Sequence, residues 1–152
     1  MHKTLFLIAV LLYAATAVTS AQNGSSVCYQ ASYSSHATVD ENGNTGQFTD
    51  WAGNKTRINY FKSLSLFIVI PENQEKGAGY FILENGRSQT IDENGDTEIT
   101  YRCADAQNNP ANILFIINKT DKNNIQIFLI NATECQAFFI SEVKGEGESV
   151  QE

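Results

Sequence analysis

Two acidic octapeptides, TVDENGNT from Thr38 to Thr45 and TIDENGDT from Thr90 to Thr97, carry the densest set of oxygen donors in the chain. Asp92, Asn94 and Asp96 stand at alternate positions, as the first ligands of a helix-loop-helix calcium loop do. Such a loop also needs glycine at its sixth position and a bidentate glutamate at its twelfth. Those positions hold Thr97 and Cys103 here, and Thr45 and Trp51 in the copy that starts at Asp40. Asn42-Gly43 and Asn94-Gly95 fit a different role, the two central residues of a type I′ hairpin turn flanked by β-branched strand residues. The turn is the reading adopted, and no metal site is expected.

Other chemistry finds little support. His2 falls in the leader described below, so His36 is the one imidazole expected in the mature chain, and no G-x-S-x-G elbow accompanies it. One histidine and three scattered cysteines lack the local spacing of a zinc site. The pairs Asp40/Glu41 and Asp92/Glu93 belong to turn tips rather than to opposite walls of a cleft, where a glycosidase places its carboxylates. No glycine-rich loop precedes a helix. The chain is therefore expected to be neither an enzyme nor a cofactor carrier.

Its first 20 residues read as a secretory signal: Lys3, an apolar run from Leu5 to about Ala17, then small residues. The mature chain then holds nine basic and seventeen acidic residues, a net charge of about −8. This charge, without a Lys/Arg cluster, argues against nucleic acid and anionic membrane surfaces as partners, and no later segment is apolar enough over about 20 residues to span a bilayer as a helix. Sequons at Asn23, Asn54, Asn118 and Asn131 agree with a secreted, extracellular glycoprotein.

No helical periodicity runs through residues 21–143, which read as one all-β domain followed by an acidic disordered tail at 144–152. EITYRC alternates, with Ile99, Tyr101 and Cys103 on one face. RINYFKSLSLFIVI puts Ile58, Tyr60, Leu64, Leu66, Ile68 and Ile70 on a shared face when read as one strand. NILFII, IQIFLI and AFFI are apolar on both sides and need cover on both. Asn85-Gly86 is read as a turn between GYFILE and RSQTID. Nine or ten strands joined to their neighbours form an antiparallel meander, which closes or nearly closes into a barrel; a two-sheet sandwich is the alternative. Counting strand directions brings Cys103 and Cys135 to one end of the fold, where a disulfide between them is expected. Cys28 is left buried, free or available to link a homo-oligomer.

The strand faces leave three readings open: a packed core, a subunit interface, or an interior pocket for a small hydrophobic ligand lined by Tyr60, Leu66, Ile68, Tyr101, Phe115, Ile127 and Phe139. ITYRCADAQNNPANILFII resembles the strand-turn-strand region late in secreted lipocalins, where Tyr-x-Cys ends a strand and an apolar strand follows. That resemblance implies a lipocalin-like (calycin-type) barrel carrying a small hydrophobic molecule. The Gly-x-Trp near the mature N-terminus and the helix after the last barrel strand, both usual in that family, are missing. The function expected is a secreted, non-enzymatic binding protein; the alternative is an extracellular interaction or structural glycoprotein with a filled core.

Overall fold

The computed structural model describes residues 26–145. The leader, Asn23 and the tail beyond Gly145 lie outside them. Nine strands follow one another: β1 (Ser26–Thr38), β2 (Ala52–Gly53), β3 (Arg57–Phe61), β4 (Leu66–Ile70), β5 (Ala78–Ile91), β6 (Thr97–Asp105), β7 (Pro110–Ile117), β8 (Ile125–Ile130) and β9 (Glu134–Lys144). All pairings between them are antiparallel, and β9 returns to pair with β1. The result is a closed eight-stranded barrel, with the two-residue β2 added alongside the upper half of β1. Closure removes the free edges that an isolated meander would expose. β9 runs to Lys144, one residue past the boundary read from composition.

Strand registers climb as they pass around the wall: one circuit returns to β6 roughly a dozen residues from its start, the stagger that tilts barrel strands. The end bearing the β3–β4, β5–β6 and β7–β8 turns is called lower here. The upper end bears the turns after β1, β4, β6 and β8.

Inside, the barrel is filled by side chains from every long strand. Tyr29, Ile58, Phe67, Ile99, Ile113, Phe115, Ile127 and Ile140 are each at most 1 % exposed. The pattern SLSLFIVI reads as continuous with RINYF, but Lys62–Leu64 form one 3₁₀ turn and Ser65 adopts φ 48°, ψ 48°, donating its N–H to the Lys62 carbonyl at 3.1 Å. The chain reverses there. Ile58 and Tyr60 point inward before the turn, and Phe67 and Val69 point inward after it. Leu66, Ile68 and Ile70 accordingly join Phe61 in a second cluster on the outer face of the wall.

Asn85-Gly86 is not a hairpin turn. Ile82 pairs with Cys103 and Arg87 with Tyr101, so Leu83 to Gly86 bulge out of a single long strand. Bulges of this kind bend a strand and re-aim its side chains. Asn85 takes φ 54°, and the Arg102 guanidinium donates to the Asn85 carbonyl at 3.3 Å.

The acidic octapeptides do turn the chain, at opposite ends of the barrel and by a different geometry from type I′. Gly43 and Gly95 have positive φ (81° and 86°), whereas Asn42 and Asn94 do not. The Gly43 N–H donates to the Asp40 carbonyl, and the Gly95 N–H to the Asp92 carbonyl, each at 3.0 Å. This is the three-residue hairpin loop, a type I turn closed by a left-handed residue. One carboxylate oxygen fixes each loop: Asp92 Oδ1 accepts the N–H of Asn94 at 2.8 Å and of Asp96 at 2.9 Å, and Asp40 Oδ1 accepts those of Asn42 and Asn44. Donation from Asn44 holds the Asp40 carboxyl below the ordinary aspartate range. A third copy, not recognised in the sequence, stands at Asp105, where Asp105 Oδ1 accepts from Gln107 and Asn109 and Asn108 supplies φ 65°. A carboxylate already engaged by two backbone N–H groups is a poor start for a cation site. Micromolar calcium is therefore expected to leave the melting temperature unchanged; a rise of several degrees would restore the metal reading.

Candidate functional site

The seven residues assigned to a ligand pocket divide by face. Tyr60, Tyr101, Phe115 and Ile127 point into the barrel. Leu66 and Ile68 point out of it, because of the reversal at Ser65. Phe139 is also outside: it pairs with Gln126 and Tyr33, while its neighbours Phe138 and Ile140 belong to the inner cluster.

The inward aromatic residues do not surround a central void at their level; they meet. Tyr29, Tyr60, Phe67, Tyr101 and Phe115, from five different strands, form one cluster. Tyr60 stacks on Phe67 with centroids 4.5 Å apart and planes at 16°, and Phe67 meets Tyr101 edge-on at 5.0 Å. Phe115 closes the set against Tyr29 at 5.1 Å and Tyr101 at 5.7 Å. Edge-to-face pairs at these separations contribute about 0.5–1.5 kcal/mol beyond their area burial. Burial raises the Tyr29 phenol above its ordinary range, with the neighbouring Tyr101 and Tyr60 hydroxyls adding to the shift.

Below this cluster the wall is incomplete among the described residues. β4 pairs with β5 only as far as Leu66 and Phe81, and the Ile82 N–H donates to the Ser65 carbonyl at 2.8 Å. Beyond that bond, among the described residues, β5 pairs with β6 alone. Val27, Tyr60 and Ile82 stand around this gap and are only partly buried, although all three pack against the core. Val27 is the register partner of Tyr60, and Tyr60 lies 5.7 Å from Tyr101. Arg87 continues the same inner face, directly across from Tyr101, and donates to Gln89 at 2.8 Å. Val27, Ile82 and Arg87 are not among the residues singled out from the sequence. The alternation of RSQTI with EITYRC carried a signal for Arg87, but only the bulge fixes its register.

Compared with protein-family models, with curated proteins and with solved structures, the chain matches none. Its function must be read from the residues themselves.

The expected Cys103–Cys135 disulfide does not form; all three thiols of the described residues are free. Both cysteines do lie toward the upper end, as strand direction implied. However, Cys103 points inward on β6, and Cys135 points outward on β9 beside Ile130 and Ala37. Three strand spacings, about 14 Å along the wall, separate them, while a disulfide needs Cα atoms within about 7 Å. Burial pushes the Cys103 thiol up to about 12 and also raises Cys135. The buried, protonated thiol of Cys103 contributes stability that is complete below its unfolded value near 9.0 and fades as pH climbs toward 12. Cys28 is half-buried on the outer face near Arg57 and Lys144. A thiol reagent at neutral pH is expected to modify Cys28 first, with Cys103 protected until denaturant is added. Fast labelling of Cys103 in the native protein would contradict its inward placement.

Proposed function

We propose that this chain is an extracellular, non-enzymatic binding protein that takes a small apolar molecule end-on at the lower mouth of its barrel. The observation that carries this reading is the partial exposure of Val27, Tyr60 and Ile82, inward-facing apolar groups seated on an otherwise closed core. Partly buried apolar side chains beside a break in the wall are the kind of surface on which a small apolar molecule gains contact. The ring cluster forms its floor, so the site is shallower than a central cavity. The architecture is compatible with the lipocalin-like fold that the ITYRC segment implied, and the carrier role follows from that resemblance as part of the same proposal. Titration with an environment-sensitive apolar dye tests it: saturable, displaceable fluorescence that falls in Tyr60→Ala supports the site. An absent signal, or one unaffected by Tyr60→Ala, refutes it.

The three described sequons support an extracellular setting. In each, the Asn carboxamide oxygen accepts both the N–H and the hydroxyl of the sequon threonine: Thr56 on Asn54, Thr120 on Asn118 and Thr133 on Asn131. All three lie in connections between strands, where glycans leave the sheet faces clear.

A second reading has its own observation. Tyr33, Phe48 and Trp51 are 52, 39 and 48 % exposed, and Phe48 packs on the outward Phe128 at 6.3 Å. Tyr33 is the register partner of Phe139. An aromatic outer face of this kind suits association with a protein or a second copy. Sedimentation of wild type against Tyr33→Ser/Trp51→Ser would support it if a dimer were lost in the variant, and would exclude self-association if both sediment as monomers.

A further inference from the structure

We infer that the glycan carried by Asn54 folds back over the edge of β2 onto Tyr33 and Trp51, making that outer aromatic face the seat of the protein's own carbohydrate. This inference rests on the extracellular reading above and gives one sequon a structural role. Each described sequon follows an aromatic residue by three positions: Trp51 before Asn54, Phe115 before Asn118 and Phe128 before Asn131. The fold treats the three differently. Phe115 is buried in the ring cluster and Phe128 lies against Phe48, whereas Trp51 is 48 % exposed. Of these three aromatic residues, Trp51 alone stands open beside its sequon.

β2 pairs with β1 through Tyr33–Gly53 and Ser34–Ala52, and the Asn54 N–H then donates to the Ser32 carbonyl at 2.9 Å. Strand geometry puts the Asn54 Cα about 6 Å from that of Tyr33 and about 10 Å from that of Trp51. The first sugars of a glycan span such distances. Alternation places Gly53 and Trp51 on the same face as Tyr33. A Cβ added at Gly53 would meet nothing within 4 Å, so the floor between the two rings is open. Asn54 itself follows the last residue of β2, at the rim of the sheet. Its carboxamide oxygen is held by the Thr56 N–H at 2.8 Å and hydroxyl at 2.6 Å, while its nitrogen makes no hydrogen bond among the described residues. Transfer from a lipid-linked oligosaccharide forms the bond between Nδ2 and the sugar C1, breaks that between C1 and the donor's pyrophosphate, and releases an amide proton.

The chemistry of the face suits this occupant. N-Acetylglucosamine is neutral and presents C–H groups of partial positive charge, which complement the negative faces of the indole and phenol rings. Tethering adds what a weak contact lacks, because an attached sugar stands at millimolar effective concentration beside its seat. Among the described residues β2 is the last strand of the sheet and pairs with β1 alone. A bare edge next to exposed rings invites another chain. A glycan rooted at the end of that edge obstructs both.

Trp51 is the one tryptophan of the chain, so its fluorescence reports on this face directly. Acrylamide quenching is compared in secreted, glycan-bearing wild type, Asn54→Gln and Asn118→Gln, with sequon occupancy read by glycopeptide mass spectrometry. A sugar over one indole face leaves the other open, so Asn54→Gln is expected to raise the quenching constant about twofold. Asn118→Gln should leave it unchanged. Amidase release of the glycans from folded wild type should give the same rise without any substitution. An occupied Asn54 with equal quenching before and after release would overturn the inference, as would a glycosylated dimer lost in Tyr33→Ser/Trp51→Ser. An empty Asn54 beside occupied Asn118 and Asn131 would overturn it too and leave the extracellular reading standing. No glycan at any sequon would remove the inference together with the support the sequons lend that reading.

Discussion

Phe115→Ala is expected to lower the unfolding free energy by about 3–5 kcal/mol, the usual cost of deleting a fully buried phenylalanine. Phe115 is 1 % exposed and its ring meets Tyr29, Phe67 and Tyr101, so no single neighbour can relax into the space. The surrounding rings come from β1, β4 and β6, three parts of a wall whose spacing is fixed by ladder hydrogen bonds. Such a wall cannot collapse to refill a void, which places the expected loss in the upper part of the range. Phe139→Ala, on the outer face one residue from inward Phe138, should cost only about 1 kcal/mol. Urea unfolding of both variants provides the comparison. Equal losses would contradict the assignment of faces along β9.

The second large effect is expected at Gly86. An alanine there must push apart two backbone carbonyls that lie within 2.8 Å of its Cβ, and neither can swing aside as a flexible side chain would. A loss on the order of 2–4 kcal/mol follows from overpacking and backbone strain. Gly43→Ala offers the control. It sits at φ 81°, and a Cβ added there would meet nothing within 4 Å, so it bears only the left-handed strain, about 1 kcal/mol. Thermal unfolding of the two variants provides the comparison. A Gly86→Ala protein as stable as Gly43→Ala would show that the bulge is not tightly held.

Much of the architecture was legible in residue order alone. The alternation of Ile99, Tyr101 and Cys103 correctly marked one face of β6, and short runs broken by Asn, Gly and Asp marked a meander with no room for a helix. What escaped was parity. A one-residue change of register moves every side chain to the other face, and two local events reset it. Ser65 reverses the chain within a run that reads as continuous, which turns Leu66 and Ile68 outward. The Leu83–Gly86 bulge brings Arg87 inward where a turn was expected. Within AFFI, only pairing with β8 decides that Phe138 rather than Phe139 enters the core.

The disulfide expectation failed for the same reason: ends can be counted along strands, but faces and angular separation cannot. The inward faces of Tyr60, Tyr101 and Phe115 were legible as the lining of a pocket rather than as a packed ring cluster, and its other members, Tyr29 and Phe67, reach the same level only because the barrel is strongly staggered. Conversely, the acidic octapeptides declared their role as turns, while their geometry depended on which residue took positive φ.

The most direct test of the end-on site is an amide and side-chain NMR titration of the protein with decanol. Saturable shifts at Val27, Tyr60 and Ile82, with little change at Tyr33, Phe48 and Trp51, are the predicted result. Shifts confined to those outer aromatic residues, or no saturable shift at the lower mouth, would contradict it.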